Sequence, residues 1–201
     1  MPDDELIGSA LHDALRDVSR RPALYEVAAA VNQMVRSSVD LVPGADAGGI
    51  SVVSPGAGGA HGSTSGQAAD LDALQHRHDE GPCLSALHGP PPERTVVVAQ
   101  DLDGRDRGRW PQFASSAVEV GFSAVLALQL PAVAGVGAAL NLYGRTAHGF
   151  GPGDLIMADT FVGHLAHLLF GEGAAGRSRR PTEALEEAEL RRRLRGPALE
   201  P

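Results

Sequence analysis

The sequence predicts an α+β fold built on an antiparallel sheet, and three observations carry that prediction. First, "FSAVLALQL" (122–130) and "GVGAALNLY" (135–143) are two strand-like runs separated only by residues 131–134. A parallel βαβ unit would need a helix in that interval, and there is no room for one. Second, "GGISVVS" (48–54) and "RTVVVA" (94–99) are β-branched runs with turn residues nearby. Third, amphipathic helical segments stand before and after these strands.

Each element can be justified in order. Leu6/Ile7, Ala10/Leu11, Ala14/Leu15 and Val18 recur at steps of three and four, which gives an N-terminal helix with one apolar stripe. Arg21-Pro22 breaks it. A second helix runs from about Leu24 to Val42, carrying Val27, Val31, Met34, Val35 and Val39, and Pro43-Gly44 ends it. The strand at 48–54 closes at Pro55-Gly56. "PGAGGAHGSTSG" reads as a loop with a short edge strand near Ser63, and "AADLDALQ" as a short helix. The strand at 94–99 leads into the polar loop "DLDGRDRGRW". "PQFASSAVEVG" starts with proline and ends in glycine, as a helix does. Pairing Leu126 with Asn141 across the hairpin places Ala124, Leu126, Leu128, Asn141 and Tyr143 on one sheet face, and a one-residue change at the turn reverses this. "GDLIMADTFVGHLAHLLF" is a closing amphipathic helix, with Ile156, Phe161, Leu165, Leu168 and Leu169 near one face. The chain thus divides into an N-terminal helix (1–22), a globular domain (23–170) and a charged tail (171–201). In the tail, Glu187 and Arg191, like Glu189 and Arg193, are spaced for a solvated helix.

Bulk properties exclude several classes. All 17 basic residues are arginine, and the net charge of −8 argues against sequence-independent binding of nucleic acid, which needs a clustered basic surface. One cysteine makes no internal disulfide, and the acidic start "MPDDELIGSALHDAL" lacks the order of a signal peptide. Both fit a cytoplasmic protein. No charge occurs between Glu119 and Arg145, a length that would span a bilayer. Gln129, Pro131 and four glycines interrupt it, however, and a buried hairpin accounts for it better.

The candidate chemical motifs are weak one by one. "GAGGAHG" has His61 where a phosphate loop requires its last glycine, and "GSTSG" has no strand-turn-helix setting. His76, His78, Cys83 and His88 lie close in sequence without C-x-x-C spacing, and His164 and His167 suit a half-exposed helix face better than a haem ligand pair. The acidic loop with Asp101, Asp103 and Asp106 has no EF-hand spacing. Cys83 follows Gly81-Pro82, where a helix N-terminus would lower its pKa and favour redox chemistry. A lone cysteine in an apolar stretch is more often a small buried hydrophobe, and no second cysteine exists to resolve a sulfenic acid.

Taken together, "LVPGADAGGISVV", "LDALQHRHDEGPCLSAL", "RWPQFASSAVEVGFSAVLALQL", "GAALNLYGRTAHGFGPGD" and "ADTFVGHLAHLL" resemble a GAF domain over about residues 24–170. The stretches E-G-P-C (80–83) and A-L-N-L-Y (139–143) are most similar to the GAF domains of bacterial sensors that carry an RNA-binding ANTAR domain. The resemblance implies a six-stranded antiparallel sheet with terminal helices on one face and a small-molecule pocket under short helices and loops on the other. It also implies a homodimer formed through the terminal helices and a regulatory, non-catalytic role in signal transduction or transcription. The pocket residues it suggests are Ile50, Val52, Gln75, Cys83, Trp110, Phe113, Leu126, Asn141 and Tyr143. Only 31 residues follow Phe170, too few for the three-helix ANTAR unit, so the output is expected on a partner protein. The methionine sulfoxide reductases that share the GAF fold use two cysteines, one more than this chain has. A redox-sensing or haem-binding GAF domain is the alternative, and the sequence names neither ligand nor cofactor.

Overall fold

The computed structural model describes residues 22–54, 57–89, 95–133 and 136–170. The predicted 6–18 stripe and the charged tail lie outside the described residues. In chain order the elements are α1 (Pro22–Leu41), β1 (Ala47–Ser54), β2 (Ala57–His61), α2 (Gly66–His78), α3 (Pro82–Leu87), β3 (Val96–Ala99), a 3-10 turn (Arg107–Arg109), α4 (Pro111–Glu119), β4 (Ala124–Val133), β5 (Val136–Gly144) and α5 (Pro152–Phe170).

The fold is α+β, but the sheet has five strands among the described residues, not six. Their order is β2-β1-β5-β4-β3, with every neighbouring pair antiparallel. Two helices occupy the stretch between β2 and β3, which leaves no described segment to add another strand. The fifth strand, β2, comes from the glycine-rich stretch whose composition predicts a loop. It lies at Ala57–His61 instead of near Ser63, and pairs from Ile50↔His61 to Ser54↔Ala57. A run of Ala and Gly carries almost no side-chain alternation, so the period-two signal is missing although the backbone can still pair.

The β4–β5 register also differs from the expectation. Leu126 pairs with Leu142 and Ala127 with Asn141, so Leu126 and Asn141 point to opposite faces. The cause is a bulge. Val133 pairs with Val136, but the next registered pair is Leu130 with Ala138, so β4 carries one extra residue around Pro131. Proline cannot donate to a ladder and is tolerated at such a site. One inserted residue inverts the facing of everything beyond it.

The two sheet faces then differ in character. Ile50, Val52, Leu126, Leu128, Leu130, Leu140 and Leu142 pack with α1 and α5 into the larger apolar core. α1 contributes Val31 and Val35. Of the face predicted for it, α5 buries Leu165 and Leu169, joined by Ala158, Val162 and Ala166. Ile156 is 46% exposed, and Phe161 and Leu168 are only half-buried. Two small residues, Ala158 and Ala166, let α5 approach the sheet closely. Asp154 anchors its start by accepting hydrogen bonds from the amides of Gly44 (2.9 Å) and Gly151 (2.8 Å). The opposite face is covered by α2, α3 and α4. No helix among the described residues is long and apolar enough to cross a membrane, and the uncharged 120–144 stretch is mostly the β4–β5 hairpin.

Candidate functional site

The face under α2, α3 and α4 is lined by small side chains. Ala47, Gly49 and Ser51 of β1 lie beside Tyr143, Asn141 and Ala139 of β5, and Ala127 pairs with Asn141 on the other side. Small residues leave depth over the middle of the sheet. Into it α2 projects a stripe at helical spacing: Ala68, Leu71, Asp72 and Gln75, all buried. Two of the four are polar. The helix is fixed above them by Ser65, whose Oγ accepts the amide of Ala68 (3.1 Å), and below them by Asp79 in the left-handed conformation (φ 51°).

Asp72 is the centre of the resulting network. Its Oδ1 accepts the Tyr143 hydroxyl at 2.5 Å and the Asn141 Nδ2 at 2.8 Å. Asn141 Nδ2 also donates to Ser51 Oγ (3.2 Å), and Gln75 Nε2 donates to Tyr143 Oη (3.2 Å). Gln75 Oε1 accepts the backbone amide of Cys83 (2.9 Å), tying α3 to α2. Asp72, Gln75, Ser51, Cys83, Asn141 and Tyr143 are all fully buried. Two acceptor oxygens in the network are left without a hydrogen-bond partner, Asp72 Oδ2 and Asn141 Oδ1. Asp72 Oδ2 lies over Gly49, where a Cβ would come within 2.1 Å of it and within 3.0 Å of Ser63 Oγ. Glycine is therefore required there by space, not by backbone conformation.

Burial sets the electrostatics. It pushes the Asp72 carboxyl up to about 7, against the opposing pull of the Tyr143, Asn141 and Ser63 side chains. Burial and the neighbouring Asp72 charge push the Cys83 thiol up to about 12, and the same two causes hold Tyr143 well above the ordinary tyrosine range. α3 does begin at Pro82, as expected, but its short N-terminus does not activate the thiol: burial outweighs it.

The outer wall of the site comes from α4 and the loop before it. Trp110, only 5% exposed, donates its indole N–H to Ser85 Oγ (3.0 Å) and carries the Arg109 guanidinium over its ring at 4.0 Å. Phe113 is buried beside it, and its amide donates to Glu80 Oε1 (2.8 Å), so an acid from the α2–α3 connection holds the first turn of α4.

Of the nine candidate residues, Gln75, Cys83, Trp110, Phe113, Asn141 and Tyr143 lie on this side of the sheet. Ile50, Val52 and Leu126 do not: they belong to the core under α1 and α5. For Leu126 the β4 bulge is the reason, and Ile50 and Val52 alternate with Ser51, which takes the inner face. Sequence reasoning missed Asp72 and Ser51. The signal for Asp72 was present in the 68-71-72-75 stripe, where an acid holds a core position. Among the described residues, no three His, Cys, Asp or Glu side chains gather as a metal site, so His76, His78, Cys83 and His88 do not converge. His164 lies on the exposed side of α5 with Nδ1 2.8 Å from the carbonyl of Thr160.

No family model matches the chain, and no curated protein matches it either. Among solved structures the chain is similar to a domain described as belonging to a two-component sensor histidine kinase protein from Sinorhizobium meliloti 1021. The two are 16% identical with a TM-score of 0.46, over 80% of this chain and 95% of that one.

Proposed function

We propose that this protein is a non-catalytic, GAF-like sensory module of the cytoplasm that holds a small molecule between β1–β5 and the α2–α3–α4 cover. One observation carries the reading: a fully buried polar network that leaves two oxygens unpartnered. A core built for stability alone avoids this, because an unsatisfied buried acceptor costs about 1–3 kcal/mol. Natural cores that accept the cost commonly do so at functional sites. The small residues on this sheet face, against the leucines and valines of the other, are what give the network its room.

The reading is regulatory, not enzymatic, because the one thiol is fully buried and held far from its reactive form. Ligand occupancy changes the packing of α3 and α4, and a partner protein reads the change. The chain acts as a homodimer through its terminal helices, where Leu41 and Ile156 leave apolar surface exposed. Native mass spectrometry of the purified chain tests the reading most directly: a retained small molecule appears as added mass. A chain that carries none, and whose Trp110 emission responds to no member of a fragment library, is not a sensor.

A further inference from the structure

Asp72 is fully buried, and no cation among the described residues pairs with it. Its titratable neighbours bring no charge either. On α2, His76 stands four positions on, half-buried and held below the ordinary histidine range by burial. Tyr143 of β5 and Cys83 of α3 are both pushed upward, so each stays neutral around pH 7. β1 has no titratable residue, and in β2 His61 is registered with Ile50, a residue of the opposite core. α4 carries only Glu119, which is exposed. Asp72 Oδ1 accepts two hydrogen bonds and Oδ2 none, so the neutral carboxyl carries its proton on Oδ2.

The same carboxyl heads a chain of hydrogen bonds that holds the cover. Tyr143 donates to Asp72 and accepts from Gln75 Nε2 (3.2 Å), and Gln75 Oε1 accepts the amide of Cys83 (2.9 Å). Asp72 and Gln75 are three apart on α2, so one cannot leave the sheet without the other. α3 has no side-chain cap at its N-cap residue, and its Ser85 accepts the indole N–H of Trp110 (3.0 Å). Burying the neutral carboxyl costs little. Burying the ion without a countercharge costs far more, and water reaches it only if α2 lifts. We infer that this cluster is a proton-operated latch: α2, α3 and the Trp110 segment stay closed while Asp72 is neutral and are released locally when it ionises. The response belongs to the unliganded chain and is separate from any ligand the cover holds. Burial raises Asp72 from 3.8 to about 7, so closure is strongest at low pH and weakens as pH rises toward 7.

Hydrogen exchange on the full, unliganded chain tests the latch, because it separates local opening from global unfolding. Protection, corrected for the intrinsic pH dependence of exchange, is measured at about pH 5 and about pH 8. The cover is read from the amides of α2 and Cys83 and the indole N–H of Trp110, and the opposite face from α1 and α5. Cover protection should fall by about tenfold to a hundredfold between the two pH values. At the higher pH it should lie at least about tenfold below that of the best protected amides of α1 and α5, which report global unfolding. Asp72→Asn keeps the Oδ1 acceptor and places an N–H where the proton sits, so its cover protection should be the same at both pH values. If that variant does not fold, the carboxyl carbon of Asp72 in the unaltered chain decides, and it should titrate near 7. Equal protection of the two faces at about pH 8 would overturn the latch, since the charge would then lower only global stability. So would cover protection that does not fall, a fall that persists in Asp72→Asn, or an Asp72 carboxyl that titrates near 3.8. Ligand retention is read separately by mass, so failure of the latch leaves the sensor reading standing.

Discussion

At the scale of single residues, Asp72 has consequences that can be measured without any ligand. Its carboxyl titrates near 7 in the folded chain against an ordinary 3.8, so the folded state holds the proton more tightly than the unfolded one. Its contribution to stability is therefore full below about pH 4 and is lost as pH rises toward 7. Between about pH 5 and pH 8 the loss is on the order of 2–3 kcal/mol. Urea unfolding at the two values should show it, and Asp72→Asn should show a shallower dependence with greater stability at the higher pH. A variant that follows the wild-type pH profile would mean that Asp72 is not the group responsible. Cys83 supplies the second measurement. With its thiol fully buried and pushed up to about 12, it should resist a thiol reagent until the protein unfolds, and Cys83→Ala should cost on the order of 1 kcal/mol. Rapid labelling of the native chain would revive the redox-sensor alternative.

At the scale of elements, the covering layer hangs from a few distant polar anchors. Neither α3 nor α4 has a side-chain cap of its own. Instead Gln75 from α2 takes the amide of Cys83 in α3, and Glu80 takes the amide of Phe113 in α4. Glu80→Ala should therefore loosen α4 and admit solvent to Trp110. A red shift in emission, with a stability loss of about 1 kcal/mol, is the expected outcome. Emission that stays at the wild-type wavelength would show that α4 is held by packing alone. Asp154 plays the same part on the opposite face, joining the start of α5 to the turn after α1 through two amides. Asp154→Ala should cost about 1–2 kcal/mol and leave Trp110 emission unchanged, because the two layers are separated by the sheet.

At the scale of the whole molecule, the five antiparallel strands among the described residues divide two unlike cores, one dominated by aliphatic side chains and one with a polar centre. If the terminal helices pair two copies, deleting residues 1–20 should shift light scattering toward monomer or reduce solubility. A mass that is monomeric both before and after the deletion would refute the pairing.

Local composition by itself determined the α+β class, the β4–β5 hairpin, the helical character of 22–41 and 152–170, and the burial of Cys83. The strands and helices follow from an alternation or a stripe within a single segment, whereas the candidate residues came from the resemblance, and six of those nine lie on the face under α2, α3 and α4. Only the tertiary structure decided the rest. β2 was hidden because glycine and alanine leave no periodic trace. The facing of Leu126 turned on one extra residue beside Pro131, which nothing in the strand's own pattern announces. Asp72 acquires its meaning from partners 69 and 71 positions away, Asn141 and Tyr143. A helix stripe can report that an acid is buried, but desolvation and hydrogen bonding depend on what the sheet places beneath it, and that is a property of strand pairing across the whole chain.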